Sequence, residues 1–412
     1  MLKNYFKIAI AVLKRRKVFT FISLFGISFT LTILMVGTAF LDKVTSADYP
    51  DYKRDRSLYV GSMELQNSKE GWLNRSDVSL YFFDHYVSRL KNVEKMGISS
   101  YPKASNAYIN NKKIVINYKY TNADYWRVLE YRFLEGKPYA EQQIVNAERV
   151  AVISETTKKA YFGNMPGVVG QYISADEVNY RVIGVVSNVA KTMRNFAGDM
   201  FLPYTVSKEN YTKPDLMGPY SAVLLARSKA DVPKMKLEFD QMMKKVPIGN
   251  KEFDRLYCNA DYFFASITRR IAGDGKDSGI TKAVSILVAF VILFLLLPTI
   301  NLVNINITRI MERSSEIGVR KAFGASSRTL VCQFIVENMI LTFLGGVLGL
   351  LFSALIIYFF NSWNLIDSVR LSLNFSVLLY SFLACVFFGL ISGVYPAWRM
   401  SRLNVVKALK AQ

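Results

Sequence analysis

Four long apolar segments constrain the fold of this chain more than any other feature of its sequence. They cover about residues 19–41, 284–305, 330–360 and 375–395, and each contains few or no charged residues. About 20 apolar residues in a helix are enough to cross the hydrocarbon core of a bilayer. The sequence therefore predicts a membrane protein with four transmembrane α-helices, and the longest polar stretch lies between the first two of them.

Basic residues are placed unevenly around these segments. Residues 1–18, 309–328 and 398–412 carry six, five and four Lys or Arg residues. Because Lys and Arg are enriched in cytoplasmic loops, both termini and the 309–328 loop are predicted to be cytoplasmic, and residues 42–282 extracytoplasmic. The first apolar segment is longer than that of a signal peptide and is followed by no clear cleavage site, which favours an uncleaved anchor.

The formal net charge of +20 does not indicate nucleic-acid binding. The cations flank membrane segments and do not form a groove-fitting helix or a patch interleaved with aromatic residues. Catalytic chemistry is sparse, because the single histidine, His85, lies in a predicted surface helix and no GxxxxGK[ST] phosphate-binding sequence occurs. Cys258 is alone in the soluble part, so no disulfide framework can form there. We therefore predict no nucleic-acid partner, catalytic residue, metal site or cofactor-binding residue in this chain.

The N-terminal residues 1–18 combine an apolar stripe with several lysines. Leu2, Tyr5, Phe6 and Ala9 fall on one helical face, and most of the cations fall elsewhere. This pattern predicts an amphipathic helix on the inner membrane surface, with its cations attracted to anionic membrane lipid. A simple basic flank without helical structure is the alternative.

The long polar part between the first two spans shows a mixed α/β pattern. The predicted strands are 148–154, 179–189 and 220–228, and the predicted helices are 80–91, 155–163 and 230–246. Ser154 is a suitable N-cap and Gly163 a suitable end for the helix between them. Residues 273–279, with the sequence GDGKDSG, are predicted to be a flexible joint before the second span.

The charged segment between the second and third spans carries the most specific signal. It reads ERSSEIGVRKAFGAS from Glu312 and places Glu316 and Arg320 at the i,i+4 spacing of a helical ion pair. Gly324 to Ser327 provide a turn and an N-cap for the helix that follows. Charge alone would fit a solvated loop between two spans, so the identity of the string matters more than its charge.

This string, followed by an apolar helix with an early Glu and a Gly-Gly pair, resembles the cytoplasmic loop of ABC permeases of the MacB and FtsX type. A second resemblance, to the MacB-like periplasmic domain, lies in TNADYWRVLEYRFLEGKPY from Thr121, then ERVAVISETTKKAYFG and NYRVIGVV. The closing YPAWRMSRLNVVKALK is also similar to the family, although Val405 stands where relatives usually have Pro. The resemblance covers nearly the whole chain.

The resemblance implies a fold of four transmembrane helices and a large extracytoplasmic α/β domain with two lobes, inserted between helix 1 and helix 2. One lobe is α/β and the other is β-rich. The expected segments are an amphipathic helix (1–18), helix 1 (19–41), the MacB-like domain (42–282, with an α/β lobe at about 45–118 and 219–278 and a β-rich lobe at about 119–218), helix 2 (283–305), a cytoplasmic coupling loop (306–329), helix 3 (330–360), a short external loop (361–374), helix 4 (375–397) and a cytoplasmic tail (398–412).

In the family the charged segment is a coupling helix that seats in a groove of the ATPase. The resemblance therefore implies that this segment contacts an ABC ATPase subunit. The residues expected to form the contact are Glu312, Arg313, Glu316, Ile317, Gly318, Arg320, Lys321, Gly324 and Ala325.

Small residues and one acidic residue stand out within the predicted spans. Gly345 with Gly349, and Gly389 with Gly393, form two GxxxG patterns, which allow close approach of helix backbones without identifying the partner helix. Gly346 is expected to take part in the same helix packing. Glu337 lies two turns into the third span, where an ionisable group is costly. We expect it to make a structural polar contact, with proton or substrate handling as the alternative.

These features favour the permease subunit of an ABC transporter that couples ATP hydrolysis to movement of its extracytoplasmic domain. ATP and Mg²⁺ are expected on a separate ATPase subunit, and the chain itself is not expected to be an enzyme. A second permease subunit, in a homodimer or heterodimer, is the other implied partner. The resemblance leaves open a periplasmic adaptor or an outer-membrane protein as a further partner.

Two other functions are weighed against export of a peptide, drug-like or lipid-linked substrate. Within the family, the chain could release lipoproteins or activate a cell-wall hydrolase. A membrane sensor is the rival of another class, but a sensor should continue into a long signalling domain after the second span. Only about 25 residues follow here before the membrane resumes.

Overall fold

The architecture is taken from a computed structural model of the whole chain. The structure describes residues 10–390 except 12, 13, 16, 110, 111, 191, 209, 312–318, 320–322, 324, 325, 367, 368, 374, 375, 377, 378, 381, 384, 385, 388 and 389.

Short helices and strands occupy the described residues between one long N-terminal helix and two long helices nearer the C-terminus. The helices are α1 (Lys17–Thr45), α2 (Leu80–His85), α3 (Tyr125–Val128), α4 (Glu141–Val145), α5 (Glu155–Phe162), α6 (Val232–Met243), α7 (Phe263–Ala272), α8 (Ile280–Met311) and α9 (Ser327–Ser362), with 3₁₀ turns at Arg54–Arg56, Val87–Arg89, Tyr204–Val206 and Lys229–Asp231. The strands are β1 (Ser57–Val60), β2 (Met63–Asn67), β3 (Trp72–Ser76), β4 (Lys95–Ser100), β5 (Lys103–Ile109), β6 (Lys112–Thr121), β7 (Phe133–Gly136), β8 (Val150–Ser154), β9 (Tyr172–Ala175), β10 (Val178–Val186), β11 (Met200–Pro203), β12 (Tyr220–Leu225) and β13 (Arg255–Cys258).

The chain divides into two units. Residues 1–44 and 285–412 form the helical unit, and residues 45–284 form the globular unit. Within the described residues, α1 and residues 335–362 of α9 are long and apolar enough to cross a membrane, and residues 280–293 form a shorter apolar segment. The fourth predicted span, 375–397, lies mostly outside the described residues, and so does the predicted N-terminal amphipathic helix.

One large sheet organises the globular unit. Its strand order is β1-β12-β4-β6-β11-β8-β10-β7, with β5 added on β6 and β9 on β10. Neighbours are antiparallel except for two pairs, β6 with β11 and β8 with β10. A second, three-stranded sheet has the order β13-β2-β3. Strands far apart in sequence therefore lie side by side in the sheet, as β1 and β12 show.

Both faces of the large sheet are buried, and successive side chains along each strand point to opposite faces. In β1, Leu58 and Val60 belong to one apolar core, while Tyr59 belongs to a second core on the opposite face. Helices α2 and α6 cover the first face, and the aromatic residues of α3 cover the second. The globular unit thus has three layers, with helices on either side of the sheet.

The strand pairing within the large sheet is shortest between β4 and β6, where a single residue of each strand is paired, Ser99 with Thr121. This point lies close to the predicted boundary between the two lobes at residue 118. Strand β6 itself runs across that boundary from Lys112 to Thr121, so the sheet is continuous between the two parts. The division into two lobes stays a prediction.

Local signals predicted several elements well. The N-cap and the end of α5 are confirmed, since Ser154 Oγ accepts a hydrogen bond from the Thr157 amide and Gly163 follows the helix with a positive φ of 66°. The predicted helix 80–91 is shorter in the structure. It ends at His85 and gives way to a 3₁₀ turn at Val87–Arg89.

Candidate functional site

The predicted coupling residues, from Glu312 to Ala325, all lie outside the described residues, so their contacts stay a prediction. The elements on either side are described: α8 ends at Met311, and α9 begins after Ser326. Ser326 Oγ accepts a hydrogen bond from the Thr329 amide at 3.2 Å, which confirms the predicted N-cap. The charged segment is therefore directly continuous with a long, capped helix.

The glycines at 345 and 349 lie against α1 of the same chain. A methyl group on Gly345 would lie 2.7 Å from Ile27 Cγ2, and one on Gly349 would lie 2.7 Å from Leu31 Cβ. Carbon atoms in favourable contact are separated by about 3.5–4.0 Å. The distance between α1 and α9 here is therefore one that only glycine allows.

The other three glycines predicted to pack between membrane helices are placed differently. A methyl group on Gly346 would lie 3.0 Å from the ring of Phe382, in the described part of the fourth predicted span. Gly389 lies outside the described residues, and so does Gly393. Only the first GxxxG pattern can thus be assigned a partner helix.

Glu337 lies on the same side of α9 as these glycines. Glu337, Leu341, Gly345 and Gly349 follow one another at intervals of four residues, and all four are buried. Only 1% of the Glu337 surface is exposed. Leu341 packs with Ile27 and Leu31 of α1, so this side of α9 is the one that faces α1.

Polar side chains line the facing side of α1. Ser23, Ser28 and Thr32 are each at most 6% exposed. The Thr32 hydroxyl donates to the Ser28 carbonyl at 2.7 Å and also lies 3.3 Å from the Gly349 carbonyl on α9. Small and hydroxylated residues are what membrane helices use for close association. The sequence did not lead us to predict this contact between α1 and α9, although the spacing of Ser and Thr within the first apolar segment could have revealed it.

The two helices run in the same direction. Gly345 meets Ile27, Gly349 meets Leu31, and farther along the ring of Phe360 packs edge-on against Phe40 with centroids 5.2 Å apart. Residue numbers rise together along both helices, so α1 and α9 are parallel. The start of α9 is consequently at the same end of the pair as the start of α1.

A second cluster of interest lies in the globular unit, in the residues that follow α1 and precede α8. We call it the junction cluster and define it as five residues that are each at most 7% exposed. Its members are Asp51, Arg54, Tyr59, Asp261 and Arg269. Arginine and aspartate are almost never buried to this extent unless they are paired.

Arg54 joins a carboxylate to the end of α1. Its Nε donates to Asp51 Oδ2 at 2.9 Å, and its Nη1 donates to the carbonyl of Thr45, the last residue of α1, at 3.0 Å. Nη1 also donates to the Ser46 carbonyl. The guanidinium lies 3.5 Å from the ring centroid of Phe263, a cation–π contact. A cation at this position complements the exposed carbonyls and the negative end of the helix dipole.

Arg269 makes the corresponding contacts before α8. It binds Asp261 with two hydrogen bonds, from Nε to Oδ2 at 2.5 Å and from Nη2 to Oδ1 at 3.1 Å. Its Nη1 donates to the Asp274 carbonyl at 2.6 Å. Asp274 belongs to the segment that leads into α8, so this arginine also joins a buried carboxylate to a connection with the helical unit.

Tyr59 of β1 unites the two ion pairs. Its hydroxyl donates to Asp51 Oδ2 at 2.7 Å, and its backbone exchanges two hydrogen bonds with Asp261, at 2.8 and 3.0 Å. Burial raises the pKa of Tyr59 well above its ordinary value, and the negative charge of Asp51 adds to this shift. The phenol therefore keeps its proton and remains a donor at all physiological pH values.

The segment 273–279 corrects one expectation from the sequence. It was predicted to be a flexible joint, but Asp274 Oδ1 accepts hydrogen bonds from the amides of Lys276 and Asp277, at 2.8 and 2.7 Å. A Cβ on Gly275 would overlap the ring of Tyr257 at 2.6 Å, so the turn is packed closely against β13. Glycine serves here for close approach and not for flexibility.

Family comparisons match both parts of the chain. Residues 20–242 match the family described as MacB-like periplasmic core domain, and residues 288–405 match the family described as FtsX-like permease C-terminal. The first match alone covers more than half of the chain.

Curated relatives resemble the chain at low identity. It is 25% identical over 290 residues to the macrolide export ATP-binding/permease protein MacB of Pasteurella multocida, covering 70% of this chain and 42% of that protein. It is 24% identical over 311 residues to the pyoverdine export ATP-binding/permease protein PvdT of Pseudomonas fluorescens, covering 71% of this chain and 44% of that protein. The chain thus spans less than half the length of these relatives.

Two solved structures are also similar. The periplasmic region of MacB from Actinobacillus actinomycetemcomitans has a TM-score of 0.36 at 15% identity and covers 50% of this chain and 88% of that one. A domain of a permease protein from Porphyromonas gingivalis has a TM-score of 0.41 at 16% identity and covers 52% of this chain and 92% of that one.

Proposed function

Since the chain belongs to the family of permeases that combine a MacB-like periplasmic core domain with an FtsX-like C-terminal region, we propose that it is the membrane subunit of an ABC transporter working by mechanotransmission. A separate ATPase subunit would bind ATP and Mg²⁺ and move the charged segment at 312–325. Two permease subunits, identical or different, would respond by moving their globular units on the far side of the membrane.

The packing of α9 on α1 is the observation that carries this proposal. The charged segment leads directly into α9, α9 holds α1 through Gly345 and Gly349, and α1 leads into the globular unit. Because well-packed contacts are short and deform little, a displacement at the start of α9 would pass to α1. The same parallel arrangement supports a charged segment on the same membrane side as the N-terminus, in accord with the cytoplasmic placement of both.

The cargo is proposed to be engaged outside the bilayer. A path for charged cargo through the membrane should be lined with ionisable groups, whereas the apolar segments carry Glu337 as their one charged residue. That side chain is buried on the side of α9 that faces α1. We propose a peptide, drug-like or lipid-linked cargo, and the macrolide and pyoverdine exporters among the relatives support export as the reaction.

Lipoprotein release or activation of a cell-wall hydrolase is the second candidate function. The FtsX-like match over residues 288–405 supports it as well as it supports export, because this match does not identify a cargo. The two candidates differ in what the globular unit contacts. Cross-linking from exposed positions of this unit in living cells would capture either a lipoprotein or hydrolase, or an adaptor and an outer-membrane protein of an export system.

A cross-link between globular units tests the proposed function. Single cysteines at exposed positions of the globular unit should include some that form a disulfide between two permease subunits. Oxidation of such a variant should stop export while ATP binding by the complex persists, and reduction of the same variant should restore export. Export by the oxidised dimer, or cargo trapped between the membrane helices, would show that mechanotransmission is the wrong mechanism.

A further inference from the structure

We propose that Arg54 and Arg269 are positioning residues that clamp the two chain connections of the globular unit to strand β1. The inference deepens the proposed function, on which it rests, because it names the side chains through which helix motion would reach the large sheet. The connections concerned are the end of α1 and the 273–279 segment before α8.

The two arginines have the same arrangement on unrelated elements. Each guanidinium binds a buried aspartate with one edge and donates from Nη1 to a backbone carbonyl of the connection. For Arg54 this carbonyl is that of Thr45, and for Arg269 it is that of Asp274. A rigid planar fork that spans two acceptors fixes direction as well as distance, which a lysine ammonium does not. The same arrangement occurs at both connections. A role in local packing alone would not require this repetition.

Both clamps end on the same strand. Tyr59 binds Asp51 through its hydroxyl and Asp261 through its backbone. Strand β1 then pairs with β12 along its whole length, from Ser57 opposite Leu225 to Val60 opposite Ala222. A displacement of either connection is therefore delivered to the edge of the large sheet and not to a loop.

Burial makes these links stiff. Exposed ion pairs exchange readily with water and contribute little, as expected for Lys159 with Glu155, where the lysine side chain is 71% exposed. Each residue of the junction cluster is at most 7% exposed, so water has little access to replace a broken contact, and an unpaired buried charge is strongly disfavoured. The clamps should therefore hold while the helices move.

Distances within one chain test the clamps directly. The full-length chain in lipid nanodiscs, with Cys332 and Cys385 replaced by serine, would carry nitroxide pairs at Val44 and Leu237 or at Lys282 and Leu237, all of which are exposed. Pulsed electron paramagnetic resonance then reports how tightly each connection is held to the globular unit.

Paired substitutions remove each clamp without leaving a buried charge. They are Asp51→Asn with Arg54→Met for the first connection and Asp261→Asn with Arg269→Met for the second. In the wild-type protein each nitroxide pair should give a single narrow peak in its distance distribution. We expect the first variant to broaden the peak of the Val44–Leu237 pair, and the second to broaden that of the Lys282–Leu237 pair. Lys159→Met with Glu155→Gln is the exposed-pair control and should change neither peak. Narrow peaks that persist in both junction variants would overturn the proposal.

Protection of Cys258 from maleimide monitors folding, since this thiol is 5% exposed. If a paired variant loses this protection, the Arg→Lys variant at the same position replaces it in the experiment, because it keeps the charge. The distance peak should broaden in this variant too. An unchanged peak would overturn the proposal. Adding an ATPase and ATP to the wild-type protein tests the proposed function separately. Immobile globular units would contradict that function, whereas the distances within one chain decide on the clamps.

Discussion

Single residues of the globular unit show how burial changes chemistry. Lys119 on β6 is 1% exposed, and its Nζ donates to the backbone carbonyls of Arg194 and Asn195 at 3.1 and 2.6 Å. Burial lowers the pKa of this lysine from 10.5 to about 7. The lysine thus holds the loop before β11 through two hydrogen bonds that do not require its charge.

This depressed pKa predicts a pH-dependent stability. Between pH 7 and about 10 the folded protein carries a neutral Lys119 while the unfolded chain binds a proton. The free energy of unfolding should therefore rise with pH in this window, by at most about 1.4 kcal/mol per pH unit. Lys119→Met should remove this slope, as followed by tryptophan fluorescence in urea at several pH values. The exposed Lys159→Met is the control, and equal slopes in Lys119→Met and the wild type would contradict the assignment.

The arginines of the junction cluster illustrate what residue-level reading cannot find. Arg54 stands in a polar stretch and Arg269 beside a second arginine in a short helix of mixed sequence, and their acidic partners lie three and eight residues away. Nothing in those spacings indicates burial. Glu337 was easier to single out, because an acidic residue within an apolar segment is conspicuous.

At the scale of elements, the pairing of α1 with α9 depends on the lack of side chains at two positions. A Cβ at Gly349 would meet Leu31 Cβ at 2.7 Å and the Ser28 carbonyl oxygen at 3.0 Å, and neither atom can rotate away. Gly26 offers the opposite case, because no atom lies within 4 Å of its Cβ position. The two positions make a matched pair.

We expect Gly349→Ala to destabilise the helix pair by about 1–3 kcal/mol, the usual cost of overpacking. Gly26→Ala should be neutral or stabilising by up to about 1 kcal/mol, because alanine favours the helix and meets nothing. Thermal unfolding of both variants in the same detergent would measure the difference. Equal stability of the two variants would mean that α1 and α9 are not in contact at Gly349.

The charged segment before α9 carries a prediction from sequence alone. Glu316→Lys should abolish transport and weaken co-purification with the ATPase, while membrane insertion stays normal. An exposed ion pair contributes only about 0.3–0.5 kcal/mol, so loss of folding is not expected. Glu252→Lys in the globular unit makes the same charge change and should leave transport intact. Wild-type transport by Glu316→Lys would remove the coupling role from this residue.

At the scale of the whole molecule, the parallel helices and the Lys/Arg distribution predict the same topology. Single cysteines at Val145 and Arg313 test it in intact cells, with Cys332 and Cys385 replaced by serine. A membrane-impermeant maleimide should modify position 145 but reach position 313 only after permeabilisation. Buried Cys258 should not react in either case. Labelling at position 313 from outside would reverse the orientation of the entire chain.

Hydropathy and local chemistry determined the long apolar helices α1 and α9, the α/β character of the globular unit and the caps at Ser154 and Ser326. Each of these features depends on a few neighbouring residues or on the transfer of apolar side chains into a bilayer, and neither of these causes depends on the final fold. The family strings around Glu316 and Tyr125 added the domain identity.

Tertiary structure alone decided three other features. They are the order of strands in the large sheet, the choice of α1 as the partner of Gly345 and Gly349, and the meeting of Arg54 and Arg269 at Tyr59. The parallel pair β6 and β11 joins strands separated by almost eighty residues, and no local pattern encodes such a pairing. A glycine stripe allows close approach to any smooth helix, and a buried ion pair forms only once the surrounding core excludes water. Such contacts gain their energy from the whole packed unit, and so they become visible only when it is assembled.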